Sequence, residues 1–398
     1  GLMQVKDGAL QDEYGRQWLL RGINARIEGL FDVSFDDGRT ALEPIPEFTA
    51  NDAQEMAALG FNLLRLPINW SGLEPQEGNI LESYLEKMDF VVQACRDAGI
   101  YVLIDFHQDA YSKEIGEDGA PAWAIVSPYT PLEGPLHDLN SRRVSDDTFN
   151  AFEAFFLNQD NIQDRFMPAW KTVTGRYSGQ SEVVGFEVMN EPVVFHVEDA
   201  DENLYAFYEK AATAMRAVNP QHTLWLEPDS IRNMTLKGPV RSEPFNDDNV
   251  VYTPHLYPSD NNVDTSSPES WAEGLKQTFD WMQEEADSWG AALVLGEWGI
   301  HPSSTKAENY IRAVNLLSNE RHMGWAFWLW KEHTQGHWGF YDHSNNDDGS
   351  VSWSLRADAV KEIAAPYALA VPGKLLEHHF SSDTQILTLG FNAKGNEG

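Results

Sequence analysis

The chain has 398 residues, 42% hydrophobic and 12% aromatic, which suits a packed globular protein and argues against a disordered one. Acidic residues outnumber basic ones 62 to 28, a formal charge of −34, which argues against a nucleic-acid-binding stripe and against docking on anionic membranes. Cys95 is the only cysteine, so no intramolecular disulfide can form, and no apolar run is long enough to span a bilayer.

Residues 3–16 read as a hairpin that plugs the floor of the domain. Eight apolar strand candidates then recur: 17–24, 61–70, 100–109, 183–191, 223–227, 250–257, 292–298 and 324–331. Helical candidates lie between most of them, at 49–59, 81–98, 147–177, 202–218, 268–289 and 306–319. In the second of these Leu85, Met88, Val91, Val92 and Cys95 fall at helical spacing, so Cys95 reads as a core residue. Strand then helix, repeated to eight, predicts a (β/α)8 barrel over residues 1–365. A doubly wound sheet would want a glycine-rich phosphate turn after an early strand, and none is present.

A barrel of this kind places chemistry at the C-terminal ends of its strands. Those ends are polar here: Arg65, then Asp105, His107 and Asp109, then Asn190-Glu191, His255 and Tyr257, Glu297-Trp298, and Trp328. Glu191 and Glu297 end two apolar stretches on different strands. Paired carboxylates so presented suit glycosidic-bond cleavage, one giving a proton and the other attacking or activating water. The charge on Glu297 is expected to raise the affinity of Glu191 for its proton. Glu227-Pro228, by contrast, reads as structural. Fourteen Trp also favour a sugar ligand. Trp123, Trp298 and Trp328 are candidate sugar platforms, whereas Trp18, Trp170, Trp225 and Trp281 read as core. No His-x-His or His-Glu-x-x-His cluster is present, so neither metal nor cofactor is expected. Asn345–Gly349 lacks the downstream glutamate of a calcium loop and reads as a solvated turn.

Two long connections, after the first strand (26–39) and after the third (through Ala120-Pro-Ala-Trp123), should overhang the mouth. Beyond Pro366 the pattern changes. Residues 374–380 and 385–391 alternate around Ser381-Ser-Asp-Thr384, predicting a short β-hairpin extension over 366–398, a truncated β-sandwich in outline.

In this order along the chain, Arg65, His107, Asn190-Glu191-Pro192, His255-x-Tyr257, Glu297 and Trp328 resemble glycoside hydrolase family 5. That group of retaining β-glycosidases includes cellulases and endoglycoceramidases. The resemblance covers roughly residues 15–335. It implies Glu191 as acid/base, Glu297 as nucleophile, Asn190 on the sugar 2-hydroxyl, and Arg65 and Tyr257 orienting Glu297. His107 and His255 would line the catalytic subsite and Trp328 its floor. Asp105-Phe-His-Gln-Asp109 with Gly119-Ala-Pro-Ala-Trp123 is most similar to the endoglycoceramidase branch, in which Asp109 would contact sugar hydroxyls. The segment Arg26-Ile-Glu-Gly-Leu-Phe departs from the lysine-containing, Pro-rich stretch usual there. The resemblance implies a β-glucoside or β-galactoside substrate of glycolipid or oligosaccharide type. The alternatives are an endo-β-1,4-glucanase and a non-catalytic carbohydrate-binding barrel. A monomer is expected, secreted after removal of a leader, with the cytoplasm as the alternative compartment.

Overall fold

A computed structural model describes residues 1–235, 245–257, 263–333, 338–381 and 384–393. Eight parallel strands close on themselves: β1 Arg21–Asn24, β2 Leu63–Ile68, β3 Tyr101–Phe106, β4 Val183–Glu187, β5 Thr223–Leu226, β6 Val250–Tyr252 with its continuation His255–Leu256, β7 Ala292–Trp298 and β8 Gly324–Phe327. β8 pairs back onto β1, with Trp325 opposite Arg21 and Phe327 opposite Ile23, so no edge is left. The expected (β/α)8 barrel is the fold.

Side-chain alternation splits the core in two. Leu64, Leu66 and Ile68 of β2, with Val102, Ile104 and Phe106 of β3, point outward and pack under the helices. Leu63, Leu103, Trp225, Val251 and Val294 point inward and fill the lower lumen. The N-terminal hairpin, Gln4–Lys6 paired with Ala9–Gln11, seals that lumen from below. Its Met3 and Leu10 are buried against the inward set. The predicted first strand is two pieces: Gln17–Trp18 joins the hairpin's sheet and Ala370–Val371, and only Arg21–Asn24 enters the barrel.

The helix Pro268–Trp289 shows how local chemistry sets an element. Ser267 caps it by accepting from the Ser270 N–H, Pro268 supplies a preset φ in the first turn, and Gly290 ends it at φ 67°, a conformation that favours glycine. The predicted helix 147–177 is instead two, Asp146–Phe156 and Ile162–Arg176. Asn158, Asp160 and Asn161 between them all have positive φ, a region that short polar side chains tolerate.

After β8, a hairpin of Tyr341–Asn345 and Val351–Leu355 places Asn346–Ser350 in a tight turn, as read for that stretch. The predicted C-terminal hairpin is present as Gly373–Ser381 paired with Ile386–Ala393. Residues 382–383 of its turn and 394–398 of the extension lie outside the described residues. Cys95 is buried, and burial pushes its thiol up to about 12, consistent with the core reading. No described helix is long and apolar enough to cross a membrane.

Leu10→Ala should leave a void between the hairpin and the lumen floor. The unfolding free energy is expected to fall by about 2–5 kcal/mol in urea titration, with turnover at the far mouth unchanged.

Candidate active site

The mouth is organised around one fully buried guanidinium. Arg65 sits one β-repeat above Leu63, so it points into the lumen where the apolar filling stops. Its Nε and Nη2 hold Glu187 at 2.8 and 2.6 Å, and its Nη1 donates to Glu297 Oε1 at 2.7 Å and Asn24 Oδ1 at 3.0 Å. Nη2 also reaches Asn190 Oδ1 at 2.8 Å, with Asp105 at 3.1 Å and Glu227 at 3.5 Å. Burial alone would lower the Arg65 pKa, but Asp105, Glu187 and Glu297 outweigh it and hold the charge in place. Burial likewise pushes Glu227 well above the carboxylate range, against the pull of His255. Burial pushes Glu187 up as well, but the Arg65 guanidinium overcomes it and leaves Glu187 below that range. The neighbours Glu187 and Glu227 are thus pushed apart, Glu187 toward its ionised form and Glu227 toward its protonated one.

Glu297 reaches the lumen through a β-bulge. Strict alternation would turn it outward with Leu293 and Leu295. Val251 and Tyr252 of β6 face Ala292 and Leu293, yet His255 faces Glu297, so β7 carries one extra residue. The same extra residue appears against β8 between Leu295 and Trp298. The bulge swings Glu297 inward, where it accepts from Tyr257 Oη at 2.6 Å and Arg65 at 2.7 Å. It also swings Trp298 outward. The expectation that Trp298 is a sugar platform is therefore corrected: its ring is 0% exposed, wedged edge-on among Trp325 and Phe327. Gly296 lets the bulge close, since a Cβ there would stand 2.5 Å from Thr253 Oγ1 and 3.1 Å from His255 Nε2.

Glu191 lies four residues beyond the end of β4, at φ 39°. Its turn is clamped: the Asn190 N–H donates to Phe106 O, the Glu191 N–H to Glu227 Oε1 at 3.1 Å, and Gln108 Nε2 to the carbonyls of Asn190 and Glu191 at 2.7 and 3.0 Å. The carboxylate meets His255 Nδ1 at 2.9 Å and accepts from Asn233 Nδ2 at 3.2 Å. The expected upward shift at Glu191 is reversed. Burial pushes it up, but the hydrogen bond and charge of His255 hold it below the ordinary range. His255, between Glu227, Glu297 and Glu191, is itself raised well above 6.5 although burial opposes this. One oxygen of Glu191, one of Glu297 and a ring nitrogen of His255 all lie within 4.8 Å of one another.

The other expected residues divide. His107 Nδ1 bonds Asp105 at 2.6 Å, its Nε2 lies 3.6 Å from Asp109, and its ring stacks on half-buried Trp328 at 5.6 Å and 12°. Asp109 is paired with Arg143 at 2.6 Å. Trp123 stands apart from this group. Its Nε1 donates to Glu74 O, its ring meets Trp70, and Arg165 lies over it at 5.0 Å. Besides the Glu191–His255–Glu297 set, two other sets among the described residues bring ligand atoms within 4.8 Å of one another and could hold a cation: His107, Asp109 and Asp118, and Glu187, Glu227 and His255.

Sequence reasoning missed Asn24, Glu187, Arg143 and Asn233, and set Glu227 aside as structural. A charge closing an apolar strand would have flagged Glu187 and Glu227. Nothing local flags Arg143 or Asn233, which come from the short helices Leu139–Arg143 and Ile231–Thr235 in the connections after β3 and β5. Also missed was Trp338, whose ring meets Tyr257 edge-on at 5.5 Å. Glu332 fixes it by accepting from the Trp338 and Gly339 N–H groups, and itself faces the buried Arg26 at 3.4 Å. Arg26, from the departing segment after β1, also pairs with Glu43 and lies 3.5 Å from Glu117.

Two measurements test this geometry. Gly296→Ala should drive His255 or the bulge aside and lower kcat by at least about tenfold with the fold retained by circular dichroism, since small misplacements in a site are costly. His255 has a folded-state pKa raised above 6.5, so its contribution to stability is full below that value and lost as pH rises through the higher folded value. The gap in unfolding free energy between wild type and His255→Gln should therefore narrow on the alkaline side.

The sequence model of the family described as cellulase (glycosyl hydrolase family 5) matches residues 29–334. Endoglycoceramidase I of Rhodococcus hoagii is 28% identical over 354 residues, covering 82% of this chain and 67% of that protein. An endoglycoceramidase of Cyanea nozakii is 26% identical over 259 residues, 55% of this chain, and the chain spans about half (49%) of its length. The crystal structure of an endogalactoceramidase superposes with a TM-score of 0.77 at 27% identity, over 94% of this chain and 87% of that one. The family match spans the strands that carry Arg65, Glu191 and Glu297, and the chain belongs to glycosyl hydrolase family 5.

Proposed function

We propose that Glu297 is the nucleophile and Glu191 the acid/base of a retaining β-glycosidase that releases a β-linked glucoside or galactoside from a glycolipid. The observation that carries this reading is the approach of the two carboxylates. Oxygens within 4.8 Å suit direct attack on the anomeric carbon and are closer than the wider separation that inversion uses to seat a water.

Glu297 attacks from the α face while its charge is held by Arg65 and Tyr257. The departing oxygen takes a proton from Glu191, which then deprotonates water to hydrolyse the glycosyl-enzyme. Before the sugar binds, that proton is stored on His255, 2.9 Å from Glu191. A sugar closing over the pair strips water from the carboxylate and favours its neutral form, which draws the proton across. Asn190 uses its Oδ1 on Arg65 and one Nδ2 hydrogen on Gln108 O, leaving the second for a sugar hydroxyl. Trp328, stacked on His107, forms the floor, and Asp109, beside the same His107, reaches the sugar hydroxyls. The same reading assigns catalysis to the barrel, residues 1–365, and treats 366–398 as a β extension.

The glycolipid class rests on the relatives, an endoglycoceramidase and an endogalactoceramidase by name. Glycosphingolipids and β-1,4-glucans offered in parallel decide it: oligosaccharide released from the lipid supports the reading, and cleavage confined to the glucan would move the assignment to an endoglucanase. For the residues, Glu297→Gly with external azide should yield an α-glycosyl azide. Glu191→Ala should lower turnover of substrates with poor leaving groups by about 10²–10⁴-fold and that of activated aryl glycosides far less. Equal losses on both would remove Glu191 from the acid role.

A further inference from the structure

A second site lies at the other end of the barrel, where β1 begins. Arg21 is 1% exposed, and its guanidinium is held between two aromatic faces, 5.4 Å from the Trp325 centroid and 5.0 Å from that of Tyr367. Its Nη2 donates to Asn319 Oδ1 at 2.5 Å, and its Nε is buried with no hydrogen-bond partner among the described residues. Among the described residues the other buried arginines each have a carboxylate: Arg26 with Glu43, Arg65 with Glu187, Arg142 with Asp138 and Arg232 with Glu285. Arg21 alone among them has a neutral amide instead. In a chain of charge −34, a buried cation without an acid stands out.

A histidine near it registers that uncompensated charge. His378, packed nearby, accepts from the Ala368 N–H through Nε2, and burial, then Arg21 and His322, push it down to about 3. Burial also lowers His322, with Lys374 adding to the effect. Burial brings Arg21 itself down to about 10. Arg21 and Tyr367 line a cavity of about 210 Å³ whose other walls include Leu59, Phe61, Ile363 and Pro366. A mostly apolar hollow with one forked cation matches a small ligand with a planar anionic head and an apolar tail.

We propose that this floor cavity binds a small organic carboxylate, its head paired with Arg21 and its tail among Leu59, Phe61, Ile363 and Pro366. Occupancy would supply the acid that Arg21 lacks and would stabilise the fold by mass action. The site is independent of the catalytic mouth and does not rest on the assignment made there.

Hexanoate titrated calorimetrically into the full chain should bind saturably with one site per chain and raise Tm. Asn319→Asp places a carboxylate where the amide now meets Nη2, so it should weaken hexanoate at least about tenfold. It should also raise Tm in the absence of hexanoate and leave aryl-glycoside turnover unchanged. Arg21→Met should abolish binding; should that variant not fold, Asn319→Asp decides alone. Inorganic phosphate, which cannot use the apolar walls, should bind at least about tenfold more weakly than hexanoate. No saturable hexanoate binding, equal binding to Asn319→Asp and wild type, or phosphate binding as tight as hexanoate would each overturn the proposal.

Discussion

Everything at the barrel mouth depends on one buried cation, Arg65, shared among carboxylates from several strands. Asp105, Glu187, Glu227 and Glu297 come from β3, β4, the end of β5 and β7, and each lies within 3.5 Å of its nitrogens. Four acids in a water-excluded space would repel one another by many kcal/mol without it. The guanidinium's planar fork can serve several partners at fixed angles, which a lysine ammonium cannot. Because Arg65 touches both Glu297 and Asn190, it also fixes the nucleophile relative to the turn that presents Glu191.

Proton placement follows from that arrangement. Glu227, fully buried and with the longest contact to Arg65 of the four acids, is pushed toward its protonated form. Its Oε1 still accepts from the Glu191 N–H, so a neutral acid props up the turn of a charged one. His255 closes the circuit between Glu227, Glu191 and Glu297. The two catalytic candidates are thus distinguished by their partners and not by chemistry of their own. One is anchored to a permanent cation and a phenol, the other to a titratable imidazole.

The fold was legible because strand and helix repeat with clear apolar blocks, and Arg65, His107, Asn190, His255 and Tyr257 all arrive where strand ends predict. The illegible part has two physical sources. The first is the bulge in β7. Period-two reading groups Glu297 with Leu293 and puts Trp298 in the lumen, and one extra residue inverts both. No composition signal marks that residue except Gly296, which is equally compatible with an ordinary strand. The second is tertiary partnership. Glu227 before a proline looks like a loop residue until Arg65 and His255 are brought beside it from strands far away in sequence, and the downward shift at Glu191 depends on the same imidazole. The break at Asn158–Asn161 is a milder case. The asparagines were a visible signal, but the apolar spacing on either side outweighed it.

The placement of polarity along the lumen explains why so charged a site does not unfold the barrel. On several strands the inward residue changes from apolar to polar at the same level: Leu63 to Arg65 on β2, Leu103 to Asp105 on β3, Trp225 to Glu227 on β5, and Val251 to His255 through Thr253 on β6. Below that level the lumen is a dry core sealed by Met3 and Leu10. Above it, buried polar groups find partners at the cost of losing water. The apolar layer therefore does two things at once. It contributes burial energy that offsets the desolvation of the charges, and it denies water entry from beneath, so that the Arg65 network meets solvent only from the mouth, where a sugar would arrive.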